Sequence, residues 1–137
     1  MKGNYSVLAC IALLAAPAAA AQRLPLDRIK LPPGFEISVF TENLPNVRAL
    51  AAGSHVVFAG STAGHVYALR YGNAKATQAT TLAGGLNLPN GVALHAGALY
   101  VGDLDRVLRF DDVEAQLEAF AAGKAKPVLV TDRFPSE

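Results

Sequence analysis

From Ala49 onward the chain is a succession of short apolar runs separated by glycine or polar turns. Ala49–Ala52, Val56–Ala59, Val66–Tyr71 and the weaker Thr77–Leu82 form one set of four. Val92–Leu94, Leu99–Val101, Val107–Phe110 and Val128–Thr131 form a second. Runs this short, rich in Val, Leu, Tyr and Phe and bounded by Gly, Asn, Asp or Ser, are the signature of strands joined by tight turns. The two sets also share residues. Leu44–Gly53 matches Leu88–Gly97 at seven of ten positions, offset by 44 residues, through the frame Leu-Pro-Asn-x-x-Ala-Leu-x-Ala-Gly. After a small shift, Val57-Phe58-Ala59-Gly60 answers Leu99-Tyr100-Val101-Gly102, and Val66-Tyr67-Ala68-Leu69 answers Val107-Leu108-Arg109-Phe110. Four short strands recurring at this period are the pattern of a β-propeller blade. The expected fold is therefore all-β: a β-propeller fragment of two four-stranded blades, at about 44–84 and about 88–132. A small β-sandwich is the alternative.

The period changes to a helical one in a single place. Val113, Leu117 and Phe120 fall at i, i+4 and i+7 and make one apolar stripe. Asp111 and Asp112 supply N-cap candidates, and Glu114 is available for a capping box. Gly123 suits a C-cap, with Lys124 and Lys126 near the negative helix end. This predicts one short helix between the third and fourth strands of the second blade, lying across its outside. Upstream, Leu31-Pro32-Pro33-Gly34-Phe35 reads as a turn, and Glu36–Phe40 alternates as a half-buried strand would.

The N-terminus follows a different logic. Lys2 provides a positive start, Val7–Ala16 an apolar stretch, Pro17 a break, and Ala18–Ala21 the small residues that a signal peptidase accepts. Residues 1–21 are expected to be a signal peptide cleaved near Ala20 or Ala21, and the mature chain to be periplasmic or secreted. A membrane anchor is the competing reading, but Val7–Ala21 spans 15 residues, short of the roughly 20 a spanning helix needs. The single cysteine, Cys10, lies inside this leader. Its removal would exclude disulfides, zinc–thiolate sites and cysteine-linked haem.

Composition narrows the functional classes. The chain is 52% hydrophobic and 17% charged, which is a globular balance. Twelve Lys plus Arg face eleven Asp plus Glu, with no basic run, so nucleic-acid binding has no electrostatic footprint. Of the 137 residues, those after the leader make fewer than three repeats, whereas closed propellers use about four or more blades. The ring is thus expected to be incomplete, with unpaired edges that favour aggregation.

Propeller ligands enter at one mouth, on loops leading into the first strand of each blade. The residues there are Asn46 with Arg48, and Asn90 with Gly91. The Asn90 amide can donate to a cofactor carbonyl or ligate a hard cation, and Gly91 permits close backbone approach. Pro-Asn-Gly is equally the composition of a plain turn. The Arg48 guanidinium can grip a carboxylate or simply face solvent. His55, His65 and His95 lack partners at metal-ligand spacing and read as structural or exposed. Asp103, Asp105, Asp111 and Asp112 are a carboxylate group that could hold Ca²⁺, though Asp in a strand-to-strand turn and at a helix start is ordinary. No nucleotide-binding, zincin or nucleophile-elbow fingerprint occurs.

Several of these segments together resemble the opening of a sorbosone dehydrogenase-like protein of the glucose/sorbosone dehydrogenase family. They are Leu31–Ile37, Asn46–Leu50, Gly85–Ala93, Leu99–Val101 and Arg106–Phe110. The resemblance implies a six-bladed propeller in the periplasm. It implies oxidation of a sugar or aldose-type substrate by pyrroloquinoline quinone, with Ca²⁺ supporting the quinone, a histidine base taking the substrate proton, and hydride passing to the quinone C5. In that family the segment resembling Val130–Glu137 leads into the catalytic histidine, and the quinone clamp follows later. No catalytic residue is therefore assigned within this chain. Asn90 and Arg48 are the cofactor-side candidates, no metal ligand is assigned, and the chain alone is expected to be inactive and to bind neither quinone nor Ca²⁺. Gluconolactonase-like propellers share the Pro-Asn-Gly-x-Ala and Leu-Tyr-Val features, with the Asn on a divalent metal, but no matching Glu stands beside Asn46–Leu50. A non-catalytic propeller serving as a binding platform is the third reading.

Overall fold

A computed structural model of the chain describes residues 24–73 and 75–134. The expected signal peptide at 1–21, with Lys2 and Cys10, lies outside the described residues. The chain divides at Ile37/Ser38 into two compact units. In the first, a 3-10 turn spans Leu26–Arg28. Phe35 N–H donates to the Pro32 carbonyl (3.2 Å), closing the expected Pro-Pro-Gly-Phe turn, with Gly34 at φ +85°.

The second unit contains two four-stranded antiparallel sheets, each a simple meander. The first holds β1 (Val47–Ala52), β2 (Val56–Ser61), β3 (His65–Gly72) and β4 (Lys75–Ala83). The second holds β5 (Gly91–His95), β6 (Ala98–Gly102), β7 (Val107–Phe110) and β8 (Val128–Thr131), with the short helix α1 (Leu117–Ala121) between β7 and β8. All eight apolar runs become strands because each alternates inward and outward side chains between turn residues that free the backbone to reverse.

The two sheets pack on one another, with β5 beside β1 and β2. Their shared core contains Val56, Phe58, Val66, Ala68 and Leu82 from the first sheet, and Leu99, Val101, Leu108 and Phe110 from the second. These are not equivalent positions of the repeat. Phe58, Val66 and Ala68 align with Tyr100, Val107 and Arg109, which lie on the far side of the second sheet because side chains alternate along a strand. The second sheet's buried set aligns instead with Val57, Ala59, Tyr67 and Leu69, which form a separate cluster on the far face of the first sheet. The sheets therefore stack head to tail: the leading face of one repeat covers the trailing face of the next.

The helix differs from expectation at its start. Residues 111–116 form turns, and α1 begins only after Gln116, with no side-chain cap. Asp112 sits at φ +45°, a left-handed conformation that stops helix propagation. Asp111 is held by Arg109, and Val113 N–H donates to the Gly97 carbonyl (3.1 Å). Glu114 makes no capping box; it accepts from Ser54 N–H across the molecule (2.8 Å). The C-terminus is as expected. Gly123 at φ +69° donates to Phe120 O (2.9 Å) and Lys124 N–H to Ala119 O (2.8 Å), a Schellman closure. The stripe Val113, Leu117 and Phe120 is buried in the shared core, with Phe120 edge-on to Phe110 at 5.1 Å. The helix packs against β4, so it seals the space between the sheets rather than lying on an outer face.

Glu36–Phe40 also departs from expectation and joins no ladder. Phe40 and Leu44 instead lie over the far face of the first sheet. The Phe40 carbonyl accepts from Ala76 N–H (3.0 Å), and its ring meets Tyr71 edge-on at 5.9 Å.

At Gly60 the two sheets come close: a Cβ there would stand 2.6 Å from the Pro89 carbonyl oxygen and 3.2 Å from Val92. At the equivalent Gly102 the nearest neighbours, on Gly91, are 3.8–3.9 Å away. Gly60→Ala should therefore cost about 1–3 kcal/mol of stability, while Gly102→Ala should change it by less than about 1 kcal/mol. Urea unfolding of the two variants checks this; equal losses would contradict the packing described.

Candidate functional site

β1 opens opposite Ser61 and β5 opens opposite Gly102. Because the strands are antiparallel, this end of the molecule also carries the β2–β3 turn, the β4–β5 link and the β6–β7 turn. Backbone bonds knit these pieces together. Thr62 N–H donates to Asn46 O (3.1 Å), Leu86 N–H to Gly64 O (3.1 Å) and Leu104 N–H to Asn87 O (2.8 Å).

The two cofactor-side candidates both stand at this end. Arg48 is an exposed residue of β1, at the point where the register shifts between Val47 and Ala49. It is the bulge's extra residue, and such positions re-aim side chains. Asn90 is exposed, immediately before β5. Neither side chain makes a hydrogen bond among the described residues. The repeated Leu-Pro-Asn does not repeat its backbone: Pro45-Asn46 is a turn with Asn46 at φ +53°, whereas in the second copy the left-handed residue is Leu88, at φ +57°. The Pro-Asn-Gly segment is thus no tight turn; it runs straight into β5. Gly91 has ordinary φ and open space where a Cβ would stand.

The repeat also aligns two buried polar residues: sequence reasoning weighed Asp103 only as a carboxylate for Ca²⁺ and Ser61 not at all. Ser61 and Asp103 are buried polar side chains, and both follow the glycine of the aligned Ala-Gly and Val-Gly pairs. Ser61 Oγ donates to Pro45 O (2.6 Å) and accepts from Ala63 N–H (3.1 Å). Asp103 Oδ2 accepts from Arg106 Nε (3.1 Å), while Oδ1 is buried without a partner. Extending the repeat alignment by one residue would have revealed the pair.

The four carboxylates do not converge. Asp103 and Asp105 precede β7, Asp111 and Asp112 follow it, and the four residues of β7 extend roughly 13 Å. Asp111 is taken up by Arg109, at 2.6 and 3.2 Å, and this raises the Arg109 pKa above its usual value, through the hydrogen bond first and the charge second. Among the described residues no group of three His, Cys, Asp or Glu is placed to hold a metal ion. His55 sits in the β1–β2 turn, His65 opens β3 and His95 ends β5. His65 stacks on Tyr67 at 5.8 Å.

Among the described residues, two of the cavities flank this architecture, and neither of these is lined by Arg48 or Asn90. One, of about 270 Å³, lies between the 40–44 segment and the far face of the first sheet, lined by Phe40, Leu44, Val47, Leu50, Val57 and Leu69 among others. The other, of about 290 Å³, lies at the opposite end between Ser54, Gly97, Asp112, Glu114 and Ala115. No described helix is long and apolar enough to cross a membrane. Comparison with family models, curated proteins and solved structures found no match.

Two outcomes follow from this geometry. Arg106→Ala strips the one partner from a carboxylate whose side chain is 0% exposed, so it should destabilise the chain by roughly 1–3 kcal/mol. Gly91→Ala, with free space and ordinary φ, should be neutral within about 0.5 kcal/mol. Thermal unfolding followed by circular dichroism measures both.

Proposed function

We propose that the two sheets are successive blades of a six-bladed β-propeller, and that the chain is the N-terminal portion of a periplasmic, pyrroloquinoline quinone-dependent dehydrogenase of sugars or aldoses. The observation that carries the propeller is the head-to-tail stacking of two aligned four-stranded meanders. A pairing of unlike faces can be extended blade by blade, which a two-sheet sandwich built from like faces cannot. The sugar-oxidising part of the proposal rests on the resemblance of Leu31–Ile37, Asn46–Leu50 and Gly85–Ala93 to the glucose/sorbosone dehydrogenases.

In this reading the end bearing Arg48 and Asn90 faces the ligand mouth. Each can offer hydrogen-bond donors, Arg48 through its guanidinium and Asn90 through its amide. The pair does not make a fitting seat for the quinone or for Ca²⁺, since both residues are exposed and neither lines the two cavities described above. No step of the chemistry is therefore assigned to residues of these two sheets. They act as scaffold, and the proton-accepting base and the quinone clamp belong to other blades.

Titration of the chain with the quinone and Ca²⁺, followed by absorbance, should give no stoichiometric complex and no reduction of a dye by an aldose. Together with the blades that complete the ring, it should reduce the dye only when both quinone and Ca²⁺ are added. Equal activity without quinone would overturn the dehydrogenase assignment, and metal-driven lactone hydrolysis would point to the gluconolactonase-like chemistry instead.

A further inference from the structure

Among the described residues, the head-to-tail packing leaves one face of each kind without a partner sheet. On the first sheet it is the trailing face of Val57, Ala59, Tyr67 and Leu69, equivalent to the set that Leu99, Val101, Leu108 and Phe110 bury on the second. Phe40 and Leu44 cover part of it. The remainder opens into the apolar cavity of about 270 Å³, with Leu50 at its rim 65% exposed. The equivalent residue on the second sheet, Leu94, packs against the shared core.

On the second sheet the unpartnered face is the leading one. Tyr100, Val107 and Arg109 occupy the positions that Phe58, Val66 and Ala68 fill inside the core, and all three are half-buried. Val128 pairs with Arg109 across the ladder and so shares this face; it is 44% exposed. The charge that Arg109 brings to the face is already matched by a two-point contact with Asp111. Contact with an apolar partner therefore does not strand an unpaired cation.

We infer that these two faces dock on each other between copies of the chain, the leading face of the second sheet in one copy covering the trailing face of the first sheet in the next. The inter-copy contact continues the interface already formed between the sheets of one chain, and both of its halves are present on each copy. Because the halves are unlike, the contact is heterologous, and a dimer leaves one face of each kind free. Such assemblies grow into closed rings or open filaments rather than stopping at two. This is independent of the redox chemistry proposed above, which can fail while the docking stands, and the reverse.

The test uses the full chain and two variants, each bearing a charge on one face: Leu50→Glu on the trailing face and Val107→Glu on the leading face. Circular dichroism and unfolding first establish that both fold. In light scattering after gel filtration, the wild-type mass should rise with concentration beyond that of two chains. Each variant keeps one face and loses the other, so no two copies of the same variant can make the contact, and each should stay a single chain. Mixed, they should form a species of two chains and go no further, since the intact trailing face of one meets the intact leading face of the other. A wild type that stays monomeric across the micromolar to millimolar range would overturn the inference. So would variants that associate alone, which would place the contact in another segment such as the N-terminal residues all three share, or a mixture that does not recombine.

Discussion

The structure turns on parity. Along each strand alternate residues serve opposite faces, and the first sheet is apolar on both of them. Phe58, Val66 and Ala68 look into the core it shares with the second sheet, while Ala59, Tyr67 and Leu69 look the other way, under Phe40 and Leu44. A sheet with two apolar faces cannot satisfy itself with one neighbour, because the second face is also removed from water only by contact. The stacking order, the overlay of residues 40–44, and the position of the helix are all ways of meeting that demand. α1 enters where the sheets diverge, and its Leu117 and Phe120 complete the core beside Phe110.

The strands were legible because they depend on local information. Apolar runs bounded by Gly, Asn and Asp gave all eight strands, to within a few residues at each end. The C-terminus of the helix was legible for the same reason, since Gly123 closes it through its own backbone. What could not be read were the choices decided by partners distant in sequence. Asp112 reads as a cap, but its backbone is left-handed, and the Glu114 side chain that would complete a capping box is drawn to Ser54. Glu36–Phe40 alternates like a strand but finds no ladder. The two Leu-Pro-Asn copies share residues but not backbone, because one closes a turn against Thr62 and the other follows the link from β4.

The candidate site shows the same division. Arg48 and Asn90 could be placed at the entry to the first strands from the repeat alone, and they stand there, exposed. Their chemistry could not be read, because it depends on what faces them. The burial of Ser61 and Asp103 was not legible, since a serine or aspartate after glycine reads as a turn residue, and only burial separates it from its solvent-exposed counterparts. In both repeats this position anchors the turn at the same end of the sheets, through Pro45 in one and through Arg106 in the other.

The spacing between the two repeats has its own consequence. The offset falls from 44 residues at Leu44/Leu88 to 42 at Val57/Leu99 and 41 at Val66/Val107. Both contractions fall in turns, between β1 and β2 and between β2 and β3. Inside a strand the loss of one residue would exchange every side chain between the faces, bringing Tyr100 into the core and sending Leu99 and Val101 outward. Divergence of a duplicated segment is thereby channelled: the reversals between strands can drift in length, while the strands are held to a strict count.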